Sequence, residues 1–355
     1  MRYCWERSQG KDVHVTHSQD DRPTLEDVAA FAGVSRSTAS RALNGDANVS
    51  NRAKDAVLAA ARDLGYSPNQ AARSLVTRRT GAVAVVLSEP EEVVLGDPYR
   101  TAVMRAGYRE LASSGSQMVL MFSDGKDDHA RTLRFLEGGH VDGALVFAPH
   151  RADPLPRALR LLRLPIVFGG PAGNLSRGVH VVDFDNSDGA RLAVQYLLDK
   201  GRRRIATVAG PQDQTAAVHR LSGWRKTLAD AGLDPTGLSE EADFTLDGGR
   251  SAMARLLERE PELDGVFVAS DLMAAGALRT LHGVGRRVPE DVSVIGFDDH
   301  PALATAMNPP LTTVHQDPGA QVQHMVATLM ALLAGQAVAP RRHVLPVSVR
   351  VRESA

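Results

Sequence analysis

Apolar residues follow two different periods along this chain, and the change from one to the other marks its organisation. Near the N-terminus, Leu25, Val28, Ala29 and Ala32 recur at helical spacing. Thr24 offers an N-cap, and Asp27 follows three residues on, close to a capping box. Gly33 then suits a sharp turn, because glycine takes positive φ without steric cost. Ser35 caps a second helix, Arg36 to Leu43. Its apolar face is Thr38, Ala39, Ala42 and Leu43; its other face shows Arg36, Ser37, Ser40 and Arg41. Ser50 caps a third helix, Asn51 to Leu64, ended by Gly65. The pattern predicts a helix-turn-helix whose second helix is polar where it would enter a DNA major groove. An ordinary helical hairpin with a solvated face gives the same short pattern.

From Gly81 onward the period shortens. GAVAVVLS, SQMVLMFS, DGALVFAP, PIVFGG and HVVDFD are short apolar runs, separated by helical stretches beginning near Pro98, Asp127 and Asp153. Continuous apolar runs alternating with helices predict a parallel sheet covered on both faces. The pattern then restarts. Helices at Ser187–Lys200, Thr215–Ala231, Gly249–Arg259 and Leu272–Gly283 precede the runs RIATVAG, EADFTLDG, GVFVAS and VSVIGFDD. The fold class is therefore α/β, with a helix-turn-helix headpiece and two doubly wound lobes of about a hundred residues each.

Charge sharpens this division. The chain of 355 residues has a formal net charge of -1, yet residues 22–79 hold nine Lys/Arg against five Asp/Glu. A small basic module is joined to a mildly acidic body. The single cysteine, Cys4, excludes a disulfide framework or a cysteine-rich zinc site and fits a reducing cytoplasm. No apolar run reaches membrane-spanning length. Residues 1–21 carry no apolar signal-peptide core and are expected to be a disordered extension or the product of an upstream start site. GxSxG, HExxH and P-loop patterns are absent, and His150, His180, His219, His300 and His315 share no metal-like spacing. Neither enzyme activity, nor a metal, nor a cofactor is expected.

TLEDVAAFAGVSRSTASRALNG, then VS, then LGYSPNQAARSL resemble the headpiece and hinge of the LacI/GalR family of bacterial transcriptional repressors. The later chain fits that family almost to its end. The resemblance implies a body like the periplasmic sugar-binding proteins, with a ligand cleft between lobes at the strand ends. It divides the chain into a headpiece at 22–67, a hinge helix and linker at 68–80, and a body at 81–355. The first lobe would be about 81–185 plus 315–336, and the second about 186–314 plus 337–355. Crossings fall near Asp185, Val314 and Ala337. The helix Pro318 to Leu333 returns to the first lobe, and the last strand, His343 to Val351, to the second.

Carried over position by position, Arg41 matches a site that contacts guanine, and Arg36 and Ser37 match the pair that sets the operator sequence. Thr24, Ser35, Thr38, Ser40, Asn44, Ser50, Tyr66 and Asn69 match backbone-phosphate contacts, which position the protein without reading sequence. Thr24, Ser35 and Ser50 also serve as simple N-caps. Leu75 matches the minor-groove wedge of a hinge helix too short to hold alone in water; packing against the body is its other reading. For the effector, Arg220 stands in HRLSGW and Asp298 in VIGFDD, both family signatures, and donors beside acceptors suit vicinal hydroxyls. A structural ion pair is the alternative. Phe244 falls where relatives stack an aromatic on the ligand, and Ser270 where sugar-responsive relatives carry Asn. Trp224 is assigned to packing. Gly170 and Ala148 stand where relatives place polar residues, so the first lobe reads as poor in sugar ligands, with Glu89, Ser123 and Tyr99 as substitutes.

These expectations make a dimeric, ligand-responsive repressor of a pseudo-palindromic operator in double-stranded DNA, cytoplasmic and without a membrane partner. Its effector is small, polar and sugar-like, with a sugar phosphate or a nucleobase left open. The rival is an effector-independent DNA-binding protein.

Overall fold

The computed structural model describes residues 23–43, 46, 48–67, 79–147, 150–171, 178–339 and 341–355. The expectations for the N-terminal extension, for most of the hinge, and for Asn44, Asn69, Leu75 and Ala148 fall outside these residues. The chain forms two compact units, residues 1–78 and 79–355.

The first unit holds α1 (Leu25–Phe31), α2 (Arg36–Leu43) and α3 (Asn51–Asp63). Thr24 and Asp27 close a full capping box: the Asp27 carboxylate accepts the Thr24 N–H at 2.8 Å, and the Thr24 hydroxyl accepts the Asp27 N–H at 3.3 Å. Gly33 turns the chain at φ 65°. Ser35 accepts the Thr38 N–H at 3.1 Å, and Ser50 the Ala53 N–H at 3.3 Å. Val28, Ala29, Ala39, Ala42, Val49, Val57, Ala60 and Ala61 are buried together, with half-buried Tyr66 packed against them. Mostly small core residues bring three short helices close and leave the polar face of α2 outside.

The second unit contains two six-stranded sheets. The first lobe runs β1 (Ala82–Leu87), α4 (Glu91–Gly96), α5 (Pro98–Ser113), β2 (Gln117–Phe122), α6 (Gly125–Glu137), β3 (Gly143–Phe147), α7 (Leu155–Leu159), β4 (Ile166–Gly169) and β5 (His180–Phe184). The second runs α8 (Asn186–Asp199), β6 (Ile205–Ala209), α9 (Thr215–Asp230), β7 (Ser239–Glu241), α10 (Leu246–Arg259), β8 (Gly265–Val268), α11 (Asp271–Gly283), β9 (Ser293–Asp298), α12 (Pro301–Ala304) and β10 (Thr312–His315). Then α13 (Pro318–Leu333), β11 (Arg342–Leu345) and β12 (Ser348–Arg350) complete the chain. Strand order is β11-β5-β4-β3-β1-β2 in one sheet and β12-β10-β9-β8-β6-β7 in the other. Every pairing is parallel except β12 with β10. In β1, Val83, Val85 and Leu87 enter one core while Ala84 and Val86 enter another, so both faces of that sheet are covered.

Three boundaries differ from expectation. The second crossing comes after β10, at Gln316, rather than near Val314, since Val314 is still paired with Phe297. The last crossing lies at Pro346–Val347 rather than near Ala337. What reads as one final strand is two: β11 pairs with β5 of the first lobe and β12 with β10 of the second. Pro346 has no N–H for a ladder and ends the first segment; Val347 packs against the cores of both lobes. The run EADFTLDG is also shorter as a strand, because the Asp243 carboxylate accepts the Thr245 N–H and hydroxyl at 3.0 and 2.6 Å and turns the chain. Thr245 then caps α10, three residues earlier than the sequence pattern suggests.

Candidate functional site

On the headpiece, Arg36, Ser37 and Arg41 are exposed and Ser40 half-buried, all on α2. Arg36 is held by Glu26 of α1 at 2.5 Å, in a pair whose side chains are 70% and 59% exposed. Such a pair contributes only about 0–1 kcal/mol, so phosphate or a base edge competes with it easily. The Arg41 guanidinium donates to the Ser37 carbonyl of its own helix, at 3.4 Å. The Ser35 hydroxyl is shared with those of Ser37 and Thr38 at 2.9 and 2.8 Å, so the start of α2 carries a knot of hydroxyls. A helix N-terminus of this kind also suits a phosphate.

The body holds a cleft between its lobes with an empty volume of about 870 Å³, its mouth included. Both sheets point their carboxyl ends at it. Leu87, Phe147, Gly169 and Phe184 end β1, β3, β4 and β5; Asp298 ends β9; Gln214, Phe244, Ser270 and Gln316 follow β6, β7, β8 and β10. This is the crevice that open parallel sheets leave for ligands.

Arg220 is 5% exposed and heavily engaged. It donates to the Asn186 side chain at 2.8 Å and to the Ala269 carbonyl at 2.6 Å, and its guanidinium lies 3.5 Å from the centre of the Phe297 ring. Gly223, one turn along, makes that reach possible. A Cβ there would sit 2.4 Å from the Ser187 carbonyl, so only glycine lets α9 press so closely on α8. Asp298 stands 3.7 Å from Arg220, a charge contact rather than a hydrogen bond, and accepts the Gln316 amide at 2.7 Å. Burial pushes the Asp298 carboxyl up to about 7, with Arg220 opposing. Buried Asp271 is held by the Thr313 hydroxyl at 2.6 Å and the His300 N–H at 3.0 Å, and burial raises it too.

Phe244 is not part of a strand. It sits at φ 64°, with its ring over Gly210, where a Cβ would be 2.3 Å from the ring. Asp298 and Asp299 also take positive φ, at 116° and 55°. Among the described residues these three are the non-glycine positions in that region, two of them lining the cleft. Strain of this kind collects at functional sites. Ser270 lines the cleft and caps α11 through the Met273 N–H at 3.2 Å.

Beside the cleft, a polar strap joins the lobes. His150 meets Asp213 at 2.7 Å and Glu89 at 3.4 Å. Glu89 also accepts Gln214 and Arg100, each at 2.7 Å, and the Arg151 N–H donates to the Asp213 carbonyl at 2.7 Å. Hydrogen bonding to Glu89, then to Asp213, holds His150 up at about 9 against its burial.

A family profile described as "Bacterial regulatory proteins, lacI family" matches residues 24–69, and one described as "Periplasmic binding protein-like domain" matches 194–355. The HTH-type transcriptional regulator CelR of Thermobifida fusca is 45% identical over 335 residues, spanning 94% of this chain and 98% of that one. The chain belongs to the LacI/GalR family. Among solved structures, a CelR–cellobiose complex is 43% identical with a TM-score of 0.75, covering 94% of this chain and 100% of that chain. A lac repressor dimer bound to operator and the anti-inducer ONPF is 29% identical with a TM-score of 0.83, covering 94% and 99%. As a LacI/GalR regulator the protein is a non-enzymatic, DNA-binding transcription factor. No helix among its described residues is long and apolar enough to cross a membrane.

For a LacI/GalR member, the four effector residues expected from sequence, Arg220, Phe244, Ser270 and Asp298, all line one cleft. The first-lobe wall needs correcting. It is not poor in polar groups: Asp97, Tyr99, Arg100, Asp183 and Gln321 line it, and Gly170 does so at φ 99°. Tyr99 donates to Gln321 at 3.1 Å, and burial raises its hydroxyl pKa. Ser123 is not in the wall; it accepts Thr132 at 3.3 Å. Glu89 stands behind the wall, holding Arg100 and Gln214. One sequence signal was available for Asp183, an acidic residue inside the apolar run HVVDFD. Another was available for Asp97, an N-cap immediately before Pro98. Trp224 is fully buried and donates to the Ile205 carbonyl at 3.3 Å, a packing residue as expected.

Proposed function

We propose that this protein is a repressor that binds a pseudo-palindromic operator as a homodimer and is controlled by a gluco-disaccharide of the cellobiose class held in the cleft. Arg36, Ser37 and Arg41 read bases; Thr24, Ser35, Thr38, Ser40, Ser50 and Tyr66 contact the backbone. From the resemblance alone, Asn44 and Asn69 join the backbone set and Leu75 is the minor-groove wedge. Arg220, Asp298, Ser270 and Phe244 hold the ligand.

The observation that carries the ligand reading is the cleft itself. An aromatic ring stands on one wall and polar side chains stand on both, in a volume within the usual range for small-molecule sites. A sugar presents an apolar face to an aromatic and hydroxyls to its rim. The cellobiose named with the CelR complex, 43% identical along the whole of that chain, supports the choice of sugar. The dimeric operator complex of the lac repressor supports the assembly.

Thermal shift of the full chain with cellobiose, glucose, ribose and adenine tests the ligand, since binding to the folded state alone raises its melting temperature. Cellobiose is expected to give the largest shift and to change affinity for a selected operator. Unchanged operator affinity with every ligand would leave the protein an effector-independent DNA binder.

A further inference from the structure

Asp298 reaches the cleft from a backbone that side chains rarely adopt. It takes φ 116° and Asp299, the next residue, takes φ 55°. Such conformations persist only where their surroundings over-determine them. Here much of that constraint comes from outside the cleft.

Asp299 is the fixed point. Its side chain is 11% exposed and both carboxylate oxygens are held: Oδ1 accepts Arg352 Nη2 at 2.6 Å, and Oδ2 meets His315 Nδ1 at 2.9 Å. Arg352 lies in the tail after β12 and is itself anchored on β10. Its Nη1 donates to the Leu311 carbonyl at 2.8 Å, and its N–H donates to the Thr312 hydroxyl at 2.9 Å. Two residues on, fully buried Ser354 accepts the Thr312 N–H at 2.8 Å and donates to the Val294 carbonyl at 2.6 Å, so the tail is pinned across β9 and β10. His315 ends β10 and pairs with Asp298 in the sheet; Gln316 follows and donates to Asp298 Oδ1 at 2.7 Å. Consecutive residues thus grip consecutive aspartates, Gln316 on Asp298 and His315 on Asp299, and Arg352 closes the second grip. Asp298 and Gln316 line the cleft; Asp299, His315 and Arg352 stand outside its lining.

We propose that Arg352 and Asp299 are positioning residues for the effector: their ion pair holds the turn at Asp298 so that its carboxylate faces the ligand, although neither residue touches the ligand. This rests on the sugar reading of the cleft and on Asp298 as one of its binding residues. Without the pair the turn relaxes, and the Asp298 carboxylate leaves its place beside Arg220. Arginine suits the task because one planar fork serves two acceptors, Nη2 the Asp299 carboxylate and Nη1 the Leu311 carbonyl; a lysine ammonium is a single point charge without that fork.

The test is isothermal titration of the purified full chain with cellobiose, each variant accompanied by its melting temperature. Arg352→Met and Asp299→Gly should each weaken cellobiose binding about tenfold, the value of one hydrogen bond to a charged group. Glycine takes positive φ freely, so Asp299→Gly keeps the backbone and removes only the grip; wild-type affinity in that variant overturns the proposal. The conservative variants Arg352→Lys and Asp299→Asn should recover part of the loss. Arg352→Met combined with Asp299→Gly should bind no more weakly than Asp299→Gly alone, since both remove one contact; additive losses overturn the proposal. Lowered melting temperatures with unchanged cellobiose affinity would make the pair a structural one and overturn it too, while leaving the sugar reading standing. A wild-type chain that does not bind cellobiose overturns both.

Discussion

On the headpiece, Arg36 and Arg41 stand in solvent on a helix of eight residues, held by one exposed ion pair and one long contact to a carbonyl. In the cleft, Arg100 and Arg220 are 6% and 5% exposed and held by short hydrogen bonds to Glu89, Asn186 and the Ala269 carbonyl. The same side chain is offered in two ways. An exposed arginine costs the fold nothing and can be exchanged to change what is read. A buried one must be paired by the fold before any ligand arrives, so its neighbours belong to the site as much as it does. Removing a headpiece arginine should therefore alter DNA recognition and little else, whereas removing a cleft charge leaves its partner uncompensated.

The largest effect is expected from Asp298→Asn and Arg220→Met in the cleft. Either should abolish the response of operator binding to ligand, and Arg220→Met should also lower the melting temperature, since Asn186 and the Ala269 carbonyl lose their donor. Breaking a buried charged network costs about 3–5 kcal/mol at the upper end. Ligand-free operator affinity should move by only a few tenths of a kcal/mol, because the residues belong to separate compact units. Both variants folding and responding like wild type would place the effector site elsewhere.

Arg41→Ala is next. It should cost about 1–3 kcal/mol at a cognate operator and blur one base position, with no change in the melting of the body. Selection from random DNA checks this; an equally sharp consensus would remove Arg41 from the readers.

These two cases also show why one region was more legible in the sequence than the other. The headpiece is a local object: its caps, its turn at Gly33 and the polar face of α2 fall within one stretch, so spacing alone exposes them. The second-lobe wall is legible because Arg220 and Asp298 lie in short signatures at strand and helix ends. The first-lobe wall is not legible in the sequence because it is assembled from Asp97 before α5, Asp183 on β5 and Gln321 on α13, far apart in sequence. The final crossing is not legible for a related reason: an apolar run does not say which of two sheets it joins.

Thr24 separates stability from recognition on a smaller scale. Thr24→Ala should weaken α1 by about 1 kcal/mol through loss of the cap, read by hydrogen exchange of α1 amides in the full chain. Thr24→Asp keeps a capping oxygen but adds an anion. If Thr24 touches a phosphate, this second variant loses more DNA affinity than Thr24→Ala, even allowing for the change in α1 protection as its carboxylate replaces the hydroxyl that donates to Asp27 at 2.8 Å. Equal DNA binding by wild type and Thr24→Asp would make Thr24 a cap and nothing more.

The smallest effect concerns the strap across the lobes, where charge is only half-buried and the comparison is finest. His150 titrates at about 9 in the folded chain, against an ordinary value near 6.5, because Glu89 and Asp213 favour its cation. The folded state therefore binds more protons than the unfolded one between these values. The stability this supplies is complete below about pH 6.5 and is lost as pH rises through about 9. Asp298 and Asp183 are also raised, to about 7 and about 6, so their contributions are spent before the alkaline window opens. Buried Asp271 is raised well above its ordinary value too and titrates alike in both chains, so urea unfolding at pH 7.5 and 9.5, followed by tryptophan fluorescence and compared between wild type and His150→Gln, isolates His150. Wild type should lose stability between the two, and His150→Gln should lose less. The difference should stay within about 1 kcal/mol, the range for partly exposed pairs. Parallel pH profiles for the two chains would show that the strap carries no net charge energy, and that the lobes are joined there by the Gln214 and Arg151 hydrogen bonds alone.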